Sequence, residues 1–275
     1  MSITVKTNIE ANGAINHLNK TSRALSRNFE KISSGLRIAR AADDAAGLGV
    51  AENLKASHRS ADVAARNVND GISLISVAEG ATNEVANILV RLRELAIQSA
   101  SETLATTERG YIQDETDQLV SEIVRIASVT EFNGVSLSDG SLSSIDVQVG
   151  IQNTANDVIS ITLGDLTATT LGVNGLSLST ASAASAALDL IDTAIDSVSS
   201  IRSNYGAVEN RLNNALNNLE TYSEATKAAE SRIRDADFGK ETADLSQNQI
   251  LQQAGVSILS QAKNLSSSAV TLLQG

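Results

Sequence analysis

The chain contains no cysteine, no proline and no tryptophan, and only 2% of its 275 residues are aromatic. Without cysteine it forms no disulfides, thiolate metal sites or thiol nucleophiles, so oxidising and reducing surroundings suit it equally. Without proline, nothing removes a backbone donor or clashes with a preceding turn, and long unbroken helices are permitted. With three Phe, three Tyr and one Met, a core has to be built from Leu, Ile, Val and Ala. That composition suits narrow helix seams better than a globular centre. The length suffices for one or two domains with a real core.

Basic charge is also scarce: 21 Lys and Arg face 32 Asp and Glu, for a net charge of −11. Nucleic acid would require a basic face to neutralise its phosphates. The pairs Arg37/Arg40, Arg91/Arg93 and Arg232/Arg234 are too sparse to supply one and read as solvated helix charges. The opening "MSITVKTNIEANGAIN" has no basic region followed by an apolar run, so no conventional signal peptide is visible. No stretch reaches the roughly 18–20 apolar residues that span a bilayer. Neither nucleic acid nor a membrane is expected as a partner, and any exit from the cell must use another route.

Active-site chemistry is equally thin. The two histidines, His17 and His58, lie far apart on separate predicted helices. There is no HExxH, no GxxxxGK[ST], no GxGxxG after a strand and no EF-hand spacing. Gly47-Leu48-Gly49 is too short and follows no strand. Adjacent residues on a helix point about 100° apart, so Asp43-Asp44 does not converge on one proton or metal. At a helix start, however, an Asp accepts hydrogen bonds from free amides and favours the positive end of the dipole. Asp235 and Asp237 are read in the same way. No catalytic residue, metal or cofactor is expected, and the chain is not read as an enzyme.

What the chain does have is apolar spacing of three and four. Ile15, Leu18, Ser22, Leu25, Phe29, Ile32 and Leu36 form a stripe broken by one serine. Leu54, Ala61, Val68, Ile75, Thr82, Leu89 and Ala96 repeat every seven, with Ala64, Ala78, Val85 and Leu92 at the alternate position. Ile201, Tyr205, Val208, Leu212, Ala215, Leu219, Tyr222, Thr226, Ala229 and Ile233 alternate four and three. Leu251, Ile258, Leu265 and Leu272 are again separated by sevens. Sustained heptads predict helices packed with coiled-coil geometry. A shorter helix, about 104–129, ends at Glu131-Phe132-Asn133-Gly134, with Gly134 suited to the left-handed position after a helix. Gly71 and Gly80 interrupt the long pattern and mark either slack or close helix–helix approach.

Only the middle breaks this rule. In "SSIDVQVGIQNTANDVISITLGDL", Ile145, Val147 and Val149, then Ile159, Ile161 and Leu163, alternate with polar residues. Period two predicts strands, and "QNTAND" supplies the turn, giving one β-hairpin of roughly 144–150 with 158–164. "LSLSTASAASAA" reads as linker or as the entry to the next long helix, and Ala183, Ala187, Leu188 and Ile191 suggest the second.

The fold class is therefore mainly α, a long antiparallel helical coiled coil or bundle with one small β-hairpin insertion. Two joints mirror one another about the hairpin. One holds Gly35, Asp43 and Asp44; the other holds Asp235 and Asp237. They separate a terminal region, 1–43 plus 235–275, from a rod, 44–234, and an antiparallel return lays the two terminal helices side by side. Those helices carry stripes that two partners hide only in part. Both ends are expected to order only when packed against other copies.

Several stretches carry a family resemblance. "ISSGLRIARAADDAAG", "ARNVNDGISLISVAEGATNEV", "LVRLRELAIQSA" and "EFNGV" resemble the N-terminal region of bacterial flagellins. "SRIRDADFGKETADLSQNQILQQAGVSILSQA" resembles their C-terminal region. The resemblance covers nearly the whole chain in the correct order. It implies a self-assembling helical homopolymer used for swimming, secreted through the flagellar type III apparatus to the extracellular filament. The implied partners are other copies, an export chaperone, a filament cap and hook-associated proteins. There is no room around 135–180 for the outer domains many flagellins insert, so a minimal form is expected. Ser266-Ser267-Ser268 stands where relatives often place a proline.

In this reading Ile15, Leu18, Leu25, Phe29, Ile32, Leu251, Ile258, Leu265 and Leu272 build the inner core. The resemblance also implies host innate receptors as partners. Arg91, Leu95 and Glu115 match the Toll-like receptor contact region, and Val270, Leu272 and Leu273 match the terminal segment sensed in the cytosol. A hook–filament junction protein is the nearest alternative, and the match at "RIRDADF…QILQQAG" favours the filament subunit. A helical signalling bundle would normally need membrane spans.

Overall fold

The structure, a computed structural model, describes the backbone of residues 8–274 and the side chains of residues 8–264. Five helices dominate: α1 (Ile9–Ser34), α2 (Ala45–Ala100), α3 (Thr106–Val129), α4 (Ala181–Arg234) and α5 (Phe238–Gln274). Between α3 and α4 lie four short strands: β1 (Glu131–Phe132), β2 (Val135–Ser136), β3 (Ser144–Gln148) and β4 (Val158–Thr162). Two compact units result. A terminal unit comprises 1–56 and 225–275, and a central unit comprises 57–224. Both joints fall inside the terminal unit.

The central unit buries the heptad residues of α2. Ala61, Val68, Ile75, Thr82, Leu89 and Ala96 are fully covered, as are Val85 and Leu92 at the alternate position. The apolar ones divide between two cores. One joins Val85, Leu89 and Leu92 to Ile112 and Ile123 of α3 and to Ala187, Ile191 and Val198 of α4. The other joins Ala61, Val68 and Ile75 to Val147, Ile159 and Ile161 of the hairpin and to Tyr205, Leu212 and Leu219 of α4.

Residues 163–180 contribute most of the first core's remaining side chains although they form no regular element. Leu166, Leu171, Val173, Leu176 and Leu178 are all buried there. Polar anchors hold this path. Ser99 Oγ donates to the Leu178 carbonyl at 2.5 Å. Gln113 accepts from Leu178 N at 2.6 Å and donates to the Leu176 carbonyl at 2.9 Å.

β3 and β4 pair antiparallel, with Ser144 opposite Thr162 and Gln148 opposite Val158. The ladder stops at Gln148 because Val149 N and Gly150 N both turn to the Asp157 carbonyl, at 2.8 and 3.0 Å. A second hairpin was not anticipated. β1 and β2 pair through Phe132 opposite Val135. Asn133 and Gly134 both have positive φ, 51° and 77°, which is a type I′ turn. "EFNG" thus turns the chain back on itself after ending α3.

The two interior glycines now separate. A Cβ at Gly71 would lie 3.2 Å from Val147 Cγ2, so glycine lets α2 approach the hairpin. Around Gly80 nothing lies within 4 Å, and there the glycine is slack. Gly164 is the tighter case, since its Cβ would come within 2.5 Å of Ile201. Its amide donates to the buried Tyr205 hydroxyl at 3.0 Å. Burial pushes the Tyr205 phenol up, the Gly164 amide opposing. Tyr205→Phe leaves that buried N–H without an acceptor and is expected to cost about 1–3 kcal/mol, read as a lower urea midpoint with an unchanged slope.

Candidate assembly surface

In the terminal unit, α1 and α5 lie antiparallel. Asn8 Nδ2 donates to the Ala262 carbonyl at 3.0 Å, and Lys31 Nζ meets Glu241 Oε1 at 3.2 Å. Between them, a Cβ at Gly255 would sit 3.4 Å from Leu18 Cδ1, and the Asn28 carboxamide, turned so that its oxygen faces α5, accepts from Asn248 Nδ2 and Leu245 N. The Asn8 side chain also caps α1, accepting from Ala11 N at 2.9 Å.

The joints pair as well. Gly35 closes α1 in the left-handed conformation, φ 71°, donating to the Lys31 carbonyl. Leu36 and Asp235 then form an antiparallel bridge, with Arg37 N donating to the Arg234 carbonyl at 2.6 Å and Ala236 N to the Gly35 carbonyl at 2.9 Å. Asp44 Oδ1 accepts from Gly47 N at 2.9 Å and opens α2. Asp237 Oδ1 accepts from Gly239 N and Lys240 N and opens α5.

Two of the four aspartates do something other than start a helix. Asp43 Oδ2 accepts from Ala39 N and Arg40 N, tightening the loop ahead of α2. These amides hold its carboxyl below the usual range, with the charges of Lys31 and Arg40 adding to the effect. Asp235 accepts from Ser231 Oγ at 2.6 Å, so it closes α4 and leaves the start of α5 to Asp237.

The seam covers little. Among the described side chains of this unit, the buried apolar ones are Ala11, Ile38, Ala51 and Ala262, and none belongs to either central core. Leu18, Leu25 and Ile32 are half-buried. Ile15 and Phe29 are 39% and 51% exposed, and Leu251 and Ile258 are 49% and 56% exposed. The α5 stripe turned to α1 runs instead through Glu241, Leu245, Asn248, Gly255 and Ala262. Its signal was in the sequence: Leu245 and Leu259 are also two heptads apart. From Leu245 onward the only charged residue of α5 is Lys263. Leu265, Val270, Leu272 and Leu273 lie outside the residues whose side chains are described.

In the central unit, Arg91 donates to Glu115 Oε1 at 2.9 and 2.7 Å and to Glu94 Oε2 at 2.9 Å. Both Arg91 and Glu115 are exposed. Leu95 is not: it is 1% exposed, packed into the first core, and has no surface to offer a receptor. Its place on the side of α2 that packs into that core accounts for the burial. Among the described residues no three His, Cys, Asp or Glu come together to hold a metal. No described helix is long and apolar enough to cross a membrane.

A long-helix unit with two apolar-striped arms joined at a paired break is the build of a polymerising subunit. The bacterial flagellin N-terminal helical region matches residues 5–143, and the bacterial flagellin C-terminal helical region matches residues 188–273. A flagellin of Halalkalibacterium halodurans is 42% identical over 97% of this chain and 96% of its own length. A flagellin of Bacillus subtilis is 38% identical over 97% and 98%. The flagellar filament 33 kDa core protein of Treponema phagedenis is 37% identical over the same shares. The crystal structure of Bacillus cereus flagellin superposes with a TM-score of 0.51 at 31% identity, covering 56% of this chain and 88% of that one. The chain belongs to the bacterial flagellin family, in a minimal form.

The joint yields two expectations. A Cβ at Gly47 would strike the Asp44 carboxylate and come 2.9 Å from Ile38 Cδ1. Gly47→Ala should therefore cost about 1–3 kcal/mol, measured by urea unfolding. Because the Asp43 pKa is lowered on folding, its stabilisation is full above the ordinary carboxylate range and lost as pH falls through the lowered value. Asp43→Asn should thus melt earlier than the parent at neutral pH and alongside it in acid.

Proposed function

We propose that this flagellin polymerises with copies of itself into the flagellar filament, with its α1–α5 pair packed in the filament's inner core. One observation carries this reading: Ile15, Phe29, Leu251 and Ile258 stand exposed on helices whose mutual seam leaves them uncovered. The arms of sibling subunits are the matching cover, because they carry the same aliphatic spacing. Both arms reach their final order when that cover arrives, which lets the chain travel unfolded and fold at the growing end.

The subunit is structural, and its work is mechanical. Its destination is the extracellular filament. The route is flagellar type III export, with a chaperone on the C-terminal segment and assembly beneath a cap beyond the hook-associated proteins. The absence of Cys and Pro spares such a chain crosslinks and slow prolyl isomerisation. For host Toll-like receptors, the exposed Arg91–Glu115 pair is the contact, without Leu95. The cytosolic-receptor reading of Val270, Leu272 and Leu273 rests on the family resemblance alone.

Purified protein, seeded or treated with precipitating salt and viewed by electron microscopy, should form filaments. Leu251→Lys with Ile258→Lys should abolish them while leaving the monomer's helical circular dichroism unchanged. Removing 1–40 and 236–275, and with them α1 and α5, should likewise abolish filaments, and identical filaments from the trimmed chain would refute the inner-core assignment. In limited proteolysis of the monomer, both arms should be cut before the central unit.

A further inference from the structure

The central unit holds 22 acidic and eight basic side chains. In such a surplus an arginine without a carboxylate is the unexpected residue. Arg91, Arg93, Arg125 and Arg202 each have one, and Arg109 donates to two carbonyls. Among the described residues, Arg59, Arg66 and Arg211 carry no ion pair. Two of these, Arg59 and Arg66, fall on one face of α2 with Val63 between them. The spacing i, i+4, i+7 aligns the three, and Val63 is 46% exposed. Beside this face opens a groove of about 360 Å³, bounded by Gln148, Gly150 and Ile151.

Further along, α2 again presents exposed apolar side chains, here beside an acidic face of α4. Val90 and Ile97, 50% and 51% exposed, flank Arg93. Arg93 Nε donates to Asp192 Oδ1 at 2.6 Å, which brings the Asp189, Asp192 and Asp196 face of α4 alongside. Asp192 is neutralised by that contact. Asp189 and Asp196 are exposed and, among the described residues, have no cation. At 1.5 Å per residue the basic and acidic faces are about 40 Å apart along α2, too far to meet within one molecule.

We propose that Arg59 and Arg66 of one copy pair with Asp189 and Asp196 of the next, while Val63 packs against Val90 and Ile97. This rests on the filament reading above and names a contact for it outside the inner core. The partner is a second copy of this chain, because the chain carries both halves of the match. Different patches meet, so the contact is heterologous and repeats without closing, as an open filament requires. Charge of this kind sets register and approach.

The test compares three variants: Arg59→Glu with Arg66→Glu, Asp189→Arg with Asp196→Arg, and all four together. Each reversed pair should raise the critical concentration for seeded polymerisation by about tenfold or more, and the fourfold swap should restore it towards the parent. Monomer melting should not change. If either reversal polymerises like the parent, or the swap rescues nothing, the pairing is overturned while the filament reading stands. If the parent itself forms no filaments, that broader reading fails instead. An independent check uses the cysteine-free background: Val63→Cys with Ile97→Cys, treated with a short bis-maleimide, should give an oligomer ladder from filaments and none from monomers. Filaments without a ladder would overturn the contact.

Discussion

Aliphatic side chains repeated every seventh residue, and the question of what covers them, organise this molecule. In the central unit the α2 stripe from Ala61 to Ala96 is covered by α3, α4, the hairpin and an irregular leucine-bearing path, and Val63, Val90 and Ile97, off that stripe, stay exposed. In the terminal unit the same spacing continues, yet among its described side chains just four apolar ones are buried. Cooperative burial makes helices of this kind stable. A folding body and an assembling arm therefore differ in how much of one repeating pattern finds a partner inside the chain.

The irregular parts serve the same seam. Residues 163–180 carry five leucines and valines into the first core, and Ser99 and Gln113 meet the backbone groups that such a path would otherwise leave unpaired. The Gly164 amide finds the Tyr205 hydroxyl for the same reason. Ser99, Gln113 and Tyr205 thus each tie a buried backbone group of this path to a helix.

The helices were legible in the sequence because period three-and-four sustained over many turns has few other meanings. The β3–β4 hairpin was legible because its alternation is clean. The Asn133-Gly134 turn carried the strongest short hairpin signal available, but two-residue strands offer no alternation to support it, and it read as a helix stop. In α5 two interleaved heptads compete. Periodicity marks both stripes and cannot say that the one through Glu241, Gly255 and Ala262 turns to α1 while Leu251 and Ile258 stay exposed. Leu95 shows the complementary limit: a residue placed by resemblance at a surface sits inside, since its burial depends on α3 and the 163–180 path closing over it. The buried leucines of that path have no period at all.

At the paired break of the terminal unit, Leu36 lies beside Asp235, and amide hydrogen bonds run in both directions between the two segments. The seam's far end is fastened by Asn8 and Ala262. A pull on either arm is therefore taken in shear by both chains at once, rather than by one helix peeling from the other. For a thread that must carry torque along its length, load sharing of this kind lets slender helices bear strain that neither would withstand alone.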